Sequence, residues 1–434
     1  MLLNEAQQPT HRHWRILGLA WAGWLFDFYD LLLFSFLIIP IKHTLHLSAT
    51  QMSLLLGVSL AATAVGGVFF GWLADRIGRK PVLMLTIVTY SLGTFLCGTS
   101  HGLRDLLLYR IITGFGVGGE WGTGQTLVAE TFPAVMRARA AALMQTGAPC
   151  GVALAAVVGG FVEPWIAGRW GVDNAWRASF WISVLPVLMV FAIRLRMPES
   201  DVWQAMRGTA SRAAVPEPCF AARLRSDGVL RRLFVLGMVL AVTDMSAYWY
   251  TYVWLPKYLY DHLGLSLAKS GLWMLVTQVG GLLGYVTFGL VADWRGRRIA
   301  YSLYSLLWAA ALLSVTWFWG ALAVTPAVLL ACMFFVGVGT GNFSGYGPIL
   351  AELFPTAIRN TAMGTAFNVA RGVQFFTPLI ITWIAVLPAM HTHGLGAGIS
   401  LGAFFALFTG LWVWCLPETR GVRITDRELI RPGQ

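Results

Sequence analysis

Charged side chains inside long apolar runs are the residues of this sequence best placed to do chemistry. A charge in a lipid-like interior is costly and is usually retained for a function. Asp27 and Asp30 stand three apart in LFDFYDLLLF and therefore share one side of a helix. With the run beginning near residue 16, Asp27 lies about 17 Å along it at ~1.5 Å per residue, close to the middle of a bilayer. A carboxyl at that depth can take a proton from one side and release it to the other, or serve as a static partner for a cation or a backbone group. Glu120, in a glycine-rich run, is a second candidate for proton transfer. Asp244 is a third, with helix packing as its other role. Aligning ILG (16–18) with VLG (235–237) places Asp244 beside the position equivalent to Asp27.

Arg371 stands alone in its run, with no charge near it in sequence. A buried arginine requires an anion, and a carboxylate suits the two-pronged guanidinium. That anion is either a ligand or a permanent acidic partner such as Asp244. Arg110 lies nearer the end of its run, where it can snorkel, pair with Asp105 or a neighbouring helix, or meet a ligand.

These groups need elements to hold them. Apolar runs of about 20 residues, the length of a membrane span, occur at 16–40, 52–74, 81–99, 105–129, 138–162, 176–196, 233–256, 270–292, 300–319, 325–351, 361–387 and 395–416. Of the 434 residues 57% are hydrophobic and 12% charged, whereas a soluble chain carries about 25% charged residues. With the N-terminus inside, the inward-facing connections hold 23 of the 31 Lys and Arg residues, the outward-facing ones hold 6, and Arg110 and Arg371 fall within runs. That bias places both termini in the cytoplasm. It also accounts for most of the +11 net charge, so no nucleic-acid partner is required. Of the aromatic residues Tyr248, Trp249, Tyr250, Tyr252 and Trp254, some face a cavity if that run lines one, and those near Trp254 suit an interfacial belt. The first run is longer than a signal-peptide core and lacks a cleavage site.

Several chemistries are set aside. The five cysteines are scattered, with no CxxC pair or Cys/His cluster, so neither a metal site nor a disulfide framework is expected. Gly114, Gly116 and Gly119 match GxGxxG, but they lie within an apolar run rather than after a strand, and close helix packing is the reading. No Walker lysine motif is present.

An internal repeat organises the chain. GWLADRIGRK (71–80) recurs as GLVADWRGRR (289–298), AETFPAVMRARA (129–140) as AELFPTAIRNTA (351–362), and PES (198–200) as PET (417–419). Every copy falls on the side that the charge bias assigns to the cytoplasm. Asp75 and Asp293 close one helix, the following glycine turns the chain, and the basic residues Arg76, Arg79 and Arg297 come near Glu130 or Glu352. Such charges could latch that side of the molecule in one state, or serve only as a tight turn with topological anchors. The domains expected are 1–197 and 232–434, joined by a linker at 198–231 that reads as a solvated connector with a short interfacial helix.

The duplicated loop resembles the hallmark loop of the major facilitator superfamily. PETRG (417–421) resembles that family's motif after helix twelve, and Arg110 with Gly114 resembles its fourth-helix motif. The resemblance implies an all-α polytopic membrane protein: twelve transmembrane helices in two pseudo-symmetric six-helix bundles around a cavity, working by alternating access. It also implies that helices one, four, seven and ten line that cavity. DFYDLLLFSF (27–36), RIITGFGVGGEWGTG (110–124) and the Arg371–Gly372 pair resemble proton-coupled organic-acid symporters. The sialate and monocarboxylate branch fits best, with aromatic-acid and metabolite symporters as neighbours.

In that frame Asp27, Asp30, Glu120 and Asp244 are the proton-coupling candidates. Arg371 is the substrate anchor, with Asn342, Asn368, Gln278, Gln145, Gln374, Tyr248 and Trp249 as polar and aromatic neighbours. The partners expected are a small organic anion, protons and the lipid bilayer, for a monomer in the inner membrane that is not an enzyme and uses no cofactor or metal. A proton-coupled drug or cation antiporter is the nearest alternative. Against it, GAPCGVALAAVVGG (147–160) lacks the Gly-Pro-x-x-Gly-Gly ending of such antiporters, and Arg371 repels cations. A sensor without transport is the remote alternative.

Overall fold

Gly78 and Gly296 take φ values of +108° and +105°, a region of backbone space open essentially to glycine. In the computed structural model each joins two long helices by a single-residue turn. Gly78 joins α2 (Ala49–Ile77) to α3 (Arg79–Cys97), and Gly296 joins α8 (Leu267–Arg295) to α9 (Arg297–Trp317). The structure describes residues 8–420 apart from 134–135, 183, 185–186, 211–219, 253–254, 256–257, 260–266, 319–325, 356, 386 and 391–393. Both chain ends, the middle of the linker and Trp254 therefore lie outside the described residues.

Around those turns the described chain is helical and matches the twelve runs. The first half has α1 (His11–Phe36), α2, α3, α4 (Leu103–Thr131), α5 (Arg137–Gln145, continued by Gly147–Val157, a π turn at Val158–Val162 and Glu163–Trp170) and α6 (Val172–Ile182 and Val187–Arg196). The other half has α7 (Gly228–Tyr252), α8, α9, α10 (Pro326–Gly339, a 3-10 segment Thr340–Gly345 and Tyr346–Leu353), α11 (Arg359–Val373, a 3-10 turn Gln374–Phe376 and Thr377–Ala385) and α12 (Leu395–Trp412). Two short helices, Asp201–Ala210 and Phe220–Ser226, lie in the linker. Eight of the helices (α1, α2, α3, α5, α8, α9, α10 and α12) are long and apolar enough to cross a membrane on length and composition alone. The others are α6, whose described segments are interrupted, and α4, α7 and α11, which carry Glu120, Asp244 and Arg371.

Burial is inverted relative to a soluble protein. Large apolar side chains such as Val65, Leu92, Leu306 and Leu411 are more than half exposed on the outside. The charges at membrane depth, Asp27, Asp30, Arg110, Glu120, Asp244 and Arg371, are within 1% of full burial. Lipid is the solvent that fits the outer surface, and the polar centre is protein-facing.

The halves meet where α2 packs on α11 and α5 packs on α8. Glycines permit the approach, because small residues let helix backbones come close. Gly71, at the start of the first repeat copy, lies against the backbone of Asn360 and Thr361. Gly289, its counterpart, lies against Ala138, Arg139 and Ala142. Within the first half, Gly114 faces the Ser59 carbonyl of α2, Gly116 faces Tyr90 of α3, and Gly119 faces Phe70 and Thr86. The GxGxxG spacing is thus a packing surface.

Candidate functional site

At the centre of the molecule α1 and α11 bring Asp27 and Arg371 together across the interface between halves. Arg371 Nη1 stands 3.6 Å from Asp27 Oδ2, within ion-pair range but too long for a hydrogen bond. Both side chains are fully buried. Among the described residues, neither Asp27 carboxyl oxygen nor any of the three Arg371 guanidinium nitrogens has a hydrogen-bond partner. The guanidinium is flanked by rings: Phe367 at 5.1 Å, Trp24 at 5.4 Å and Phe28 at 5.6 Å from its central carbon. Phe367 in turn stacks on Trp121 of α4 with centroids 3.7 Å apart. Aromatic faces attract the cation but offer it no hydrogen-bond acceptor. An arginine so placed keeps its full donor capacity for an anion.

Helix phase separates the other carboxylates. Asp30 lies within charge–charge range of Arg110 of α4, and the Arg110 guanidinium lies 4.6 Å over the Phe34 ring. Glu120 accepts a hydrogen bond from Thr86 Oγ1 at 3.3 Å. It packs against Gly23, where a Cβ would overlap Glu120 Oε1, and it feels the charge of Asp27. Asp244 takes a 2.7 Å hydrogen bond from Asn342 Nδ2, which also donates to Ser305 Oγ at 3.2 Å. The partner of Arg371 is therefore Asp27, while Asp244 belongs to a network inside its own half.

The N–H groups of the candidate amides are engaged by the protein, while the buried Asn342 and Asn368 Oδ1 atoms have no hydrogen-bond partner among the described residues. Gln145 accepts from Trp121 Nε1 (3.0 Å) and Gln125 Nε2 (3.1 Å) and donates to the Phe343 carbonyl (3.1 Å). It thereby ties α5 to α10 in the other half. Asn368 donates to the carbonyls of Gly118 (2.6 Å) and Gly364 (2.9 Å), which ties α11 to α4. Gln374 donates to Ser246 Oγ at 3.1 Å, and Gln278 to Thr277 Oγ1 at 3.1 Å. Tyr248 and Trp249 line a cleft described below, and Tyr248 meets the edge of Phe28 at 6.1 Å.

At the end of the molecule that carries the repeats, the two halves are joined by an ionic network with twofold symmetry. Arg79 pairs with Asp75 (3.3 Å) and Glu130 (3.1 Å). Arg297 pairs with Asp293 (3.0 Å) and Glu352 (3.1 Å). Each glutamate also receives an arginine from the opposite half: Arg359 reaches Glu130 at 3.2 Å and Arg137 reaches Glu352 at 3.3 Å. Asp75 accepts from the Thr361 backbone N–H at 2.9 Å, and Asp293 pairs with Arg139 at 3.0 Å. Both are again contacts between halves. The Arg76 guanidinium is stacked over the Trp72 ring at 4.2 Å.

The PES and PET segments complete the pattern. Glu199 accepts from the backbone N–H groups of Arg79 and Lys80, and Glu418 accepts from those of Arg297 and Arg298. Ser200 Oγ donates to Glu130 Oε2 at 2.6 Å, and the buried Trp203 donates to the Asp75 carbonyl at 3.0 Å. This corrects the expectation of a solvated connector throughout 198–231, because residues 199–203 dock on the network. Sequence reasoning missed Arg137, Arg359, Glu199 and Glu418 as members of it. All four lie in repeated segments, and their recurrence was the signal available.

On the far side of the centre lies a cleft between α1, α2, α4, α7 and α11, lined by Leu31, Ser35, Arg110, Tyr248, Tyr252 and Pro378 among others. Arg110 thus lines this cleft, whereas Arg371 is buried at its pair with Asp27. Among the described residues no His, Cys, Asp and Glu group could hold a metal ion.

The family model described as Major Facilitator Superfamily matches residues 19–378, and the chain belongs to that superfamily of membrane transporters. Among its relatives is the cis,cis-muconate transport protein of Acinetobacter baylyi, 29% identical over 93% of this chain and 94% of that protein. Another is the sialic acid transporter NanX of Escherichia coli, 28% identical over 91% of each. The structure of the proton:xylose symporter XylE bound to 6-bromo-6-deoxy-D-glucose superposes with a TM-score of 0.78 at 21% identity, covering 96% of this chain and 98% of that one. That likeness shows the fold.

Proposed function

We propose that this transporter carries a small organic anion together with protons, in symport, by alternating access. The observation that carries the reading is the Asp27–Arg371 pair: buried, at ion-pair distance, and without hydrogen bonds among the described residues. Removing either partner of a buried pair strands the other charge, at a cost of about 3–5 kcal/mol. An anion alone arriving at Arg371 would displace and strand the Asp27 carboxylate. A proton alone arriving at Asp27 would strand the Arg371 cation. Proton and anion together leave a neutral acid beside a new ion pair. The low-dielectric centre therefore favours joint loading, which is coupling. Glu120, within reach of the Asp27 charge, is the candidate relay for the proton. The transporters named for cis,cis-muconate and sialic acid both handle carboxylic acids, which supports a carboxylate as cargo.

The charge bias of the connections assigns the ionic network to the cytoplasmic side of the inner membrane, with both termini cytoplasmic. Residues 1–197 and 232–434 then act as two rocking units joined by 198–231, as a monomer, with the network latching the inner mouth. Uptake into proteoliposomes under an imposed pH gradient, across a panel of carboxylic acids, tests the reading. The expected result is anion accumulation driven by an acidic exterior. Uptake indifferent to the gradient overturns coupling, and uptake of cations in place of anions overturns the substrate class.

A further inference from the structure

Tyr90 of α3 takes no part in the central pair, yet it stands among the acids around it. It is fully buried, and its hydroxyl has no hydrogen-bond partner among the described residues. Burying a hydroxyl without such a bond costs free energy. The charges of Glu120 in α4 and of Asp30 and Asp27 in α1 all act on it.

The register of three helices sets its height. α3 and α4 touch along one stripe. Thr86 Oγ1 donates to Glu120 Oε2 at 3.3 Å, Gly116 brings α4 against the Tyr90 backbone, and the Thr94 and Thr113 hydroxyls lie 3.4 Å apart. Thr86, Tyr90 and Thr94 follow one another at four-residue intervals, so they share one side of α3. All of these side chains are fully buried. α1 runs beside the stripe, with Gly23 against Glu120 and Phe34 beneath Arg110. Gly23 and Phe34 are 11 positions apart, and Arg110 and Glu120 are 10 apart, spans of about 16 Å and about 15 Å along their helices. Asp27 and Asp30 therefore fall between the same two levels as Tyr90. At one end of the stripe, Arg110 lines the cleft and feels the charge of Asp30. At the other, Glu120 feels the charge of Asp27.

We propose that the Tyr90 hydroxyl links a proton path inside the first half, running from Asp30 at the cleft end through Tyr90 to Glu120 and on to Asp27. This rests on the reading that Asp27 takes up the coupled proton. The Asp30 acid gives its proton to the phenol oxygen as the phenol proton passes to the Glu120 carboxylate. Tyr90 is neutral before and after, Asp30 ends as a carboxylate, and Glu120 ends as the acid that protonates Asp27. Each transfer needs hydrogen-bond reach, directly or through one water. Glu120 Oε1, like the phenol, has no hydrogen-bond partner among the described residues, so no existing bond holds it back.

Time-resolved infrared spectroscopy of the purified full-length protein after a rapid drop in pH reads this path with protons as the only ligand. The band of the protonated Asp27 carboxyl is assigned by its loss in Asp27→Asn. Tyr90→Phe keeps the buried ring and removes only the hydroxyl. In that variant the band is expected to reach the same amplitude at least about tenfold more slowly, as when a positioned acid–base group is lost. Glu120→Gln is expected to slow the band likewise, and it tests the path if the phenylalanine variant folds poorly. An unchanged rate in either variant overturns the path. A reduced amplitude at unchanged rate also overturns it, because that marks a structural role. Absence of the Asp27 band from the unmodified protein overturns the coupling reading itself.

Discussion

On a helix, positions three apart differ by about 60° of rotation, and that angle divides the work of Asp27 and Asp30. Asp27 faces Arg371 across the interface, whereas Asp30 lies within charge–charge range of Arg110 in its own half. Asp27→Asn is neutral and nearly isosteric, so it holds the centre in the state that the protonated acid would give. The variant is expected to exchange labelled anion across the membrane while losing proton-driven accumulation. For one proton per anion, accumulation in the unmodified protein is about tenfold per pH unit, because tenfold corresponds to ~1.4 kcal/mol, and it falls to unity in the variant. Steady-state uptake at imposed gradients reads both values. Arg371→Ala strands Asp27 as a buried charge and is expected to destabilise the fold by about 3–5 kcal/mol at neutral pH. Adding Asp27→Asn is expected to restore most of that, as read by chemical unfolding.

The sequence made Arg371 conspicuous as a cation with no nearby anion. It did not identify Asp27 as the partner, because the two meet only when α1 packs beside α11. Nor could it show that Asn368 and Gln145 are spent on bonds between halves. An amide in a membrane helix reads the same whether it faces a ligand or a neighbouring carbonyl.

At the scale of elements, the repeat was the most legible feature, because a duplicated loop leaves two copies to compare. Glycine at 78 and 296 is required twice over: by the positive φ, and by a carboxylate that fills the space of a side chain. A Cβ on Gly296 would sit 2.8 Å from Glu418 Oε2. Gly296→Ala is expected to cost about 1–3 kcal/mol through backbone strain and to detach the Glu418 cap from the Arg297 and Arg298 N–H groups. A lowered thermal midpoint and faster amide exchange at the start of α9 would record this. The two copies also differ. Ser200 completes Glu130, whereas Thr419 Oγ1 and Glu352 Oε2 have no hydrogen-bond partner among the described residues. The docking of residues 199–203 was hidden because a buried Trp203 and a capping Glu199 sit in a polar stretch whose average composition is that of a linker.

For the whole molecule, the hydropathy runs gave the architecture with little ambiguity, since span length is set by the bilayer. The conformation was not in the runs. The network that joins the halves has two symmetric arms, so removing one is expected to weaken closure and removing both to abolish it. With labels placed at the exposed positions Ile77 and Trp294, Arg359→Ala is expected to broaden the distance distribution, and Arg359→Ala with Arg137→Ala to move it to longer separations. An unchanged distribution in the double variant would remove the network from gating.

The crossing of those arginines has a consequence for ancestry. Arg359 serves Glu130 and Arg137 serves Glu352, so each six-helix half takes one arginine of its network from the other. Two identical halves related by a dyad would satisfy each other. The arrangement is that of a self-complementary homodimer interface preserved inside one polypeptide. A chain cut between Ala210 and Phe220, beyond the docked residues 199–203, is expected to yield two fragments that still recognise each other when made together.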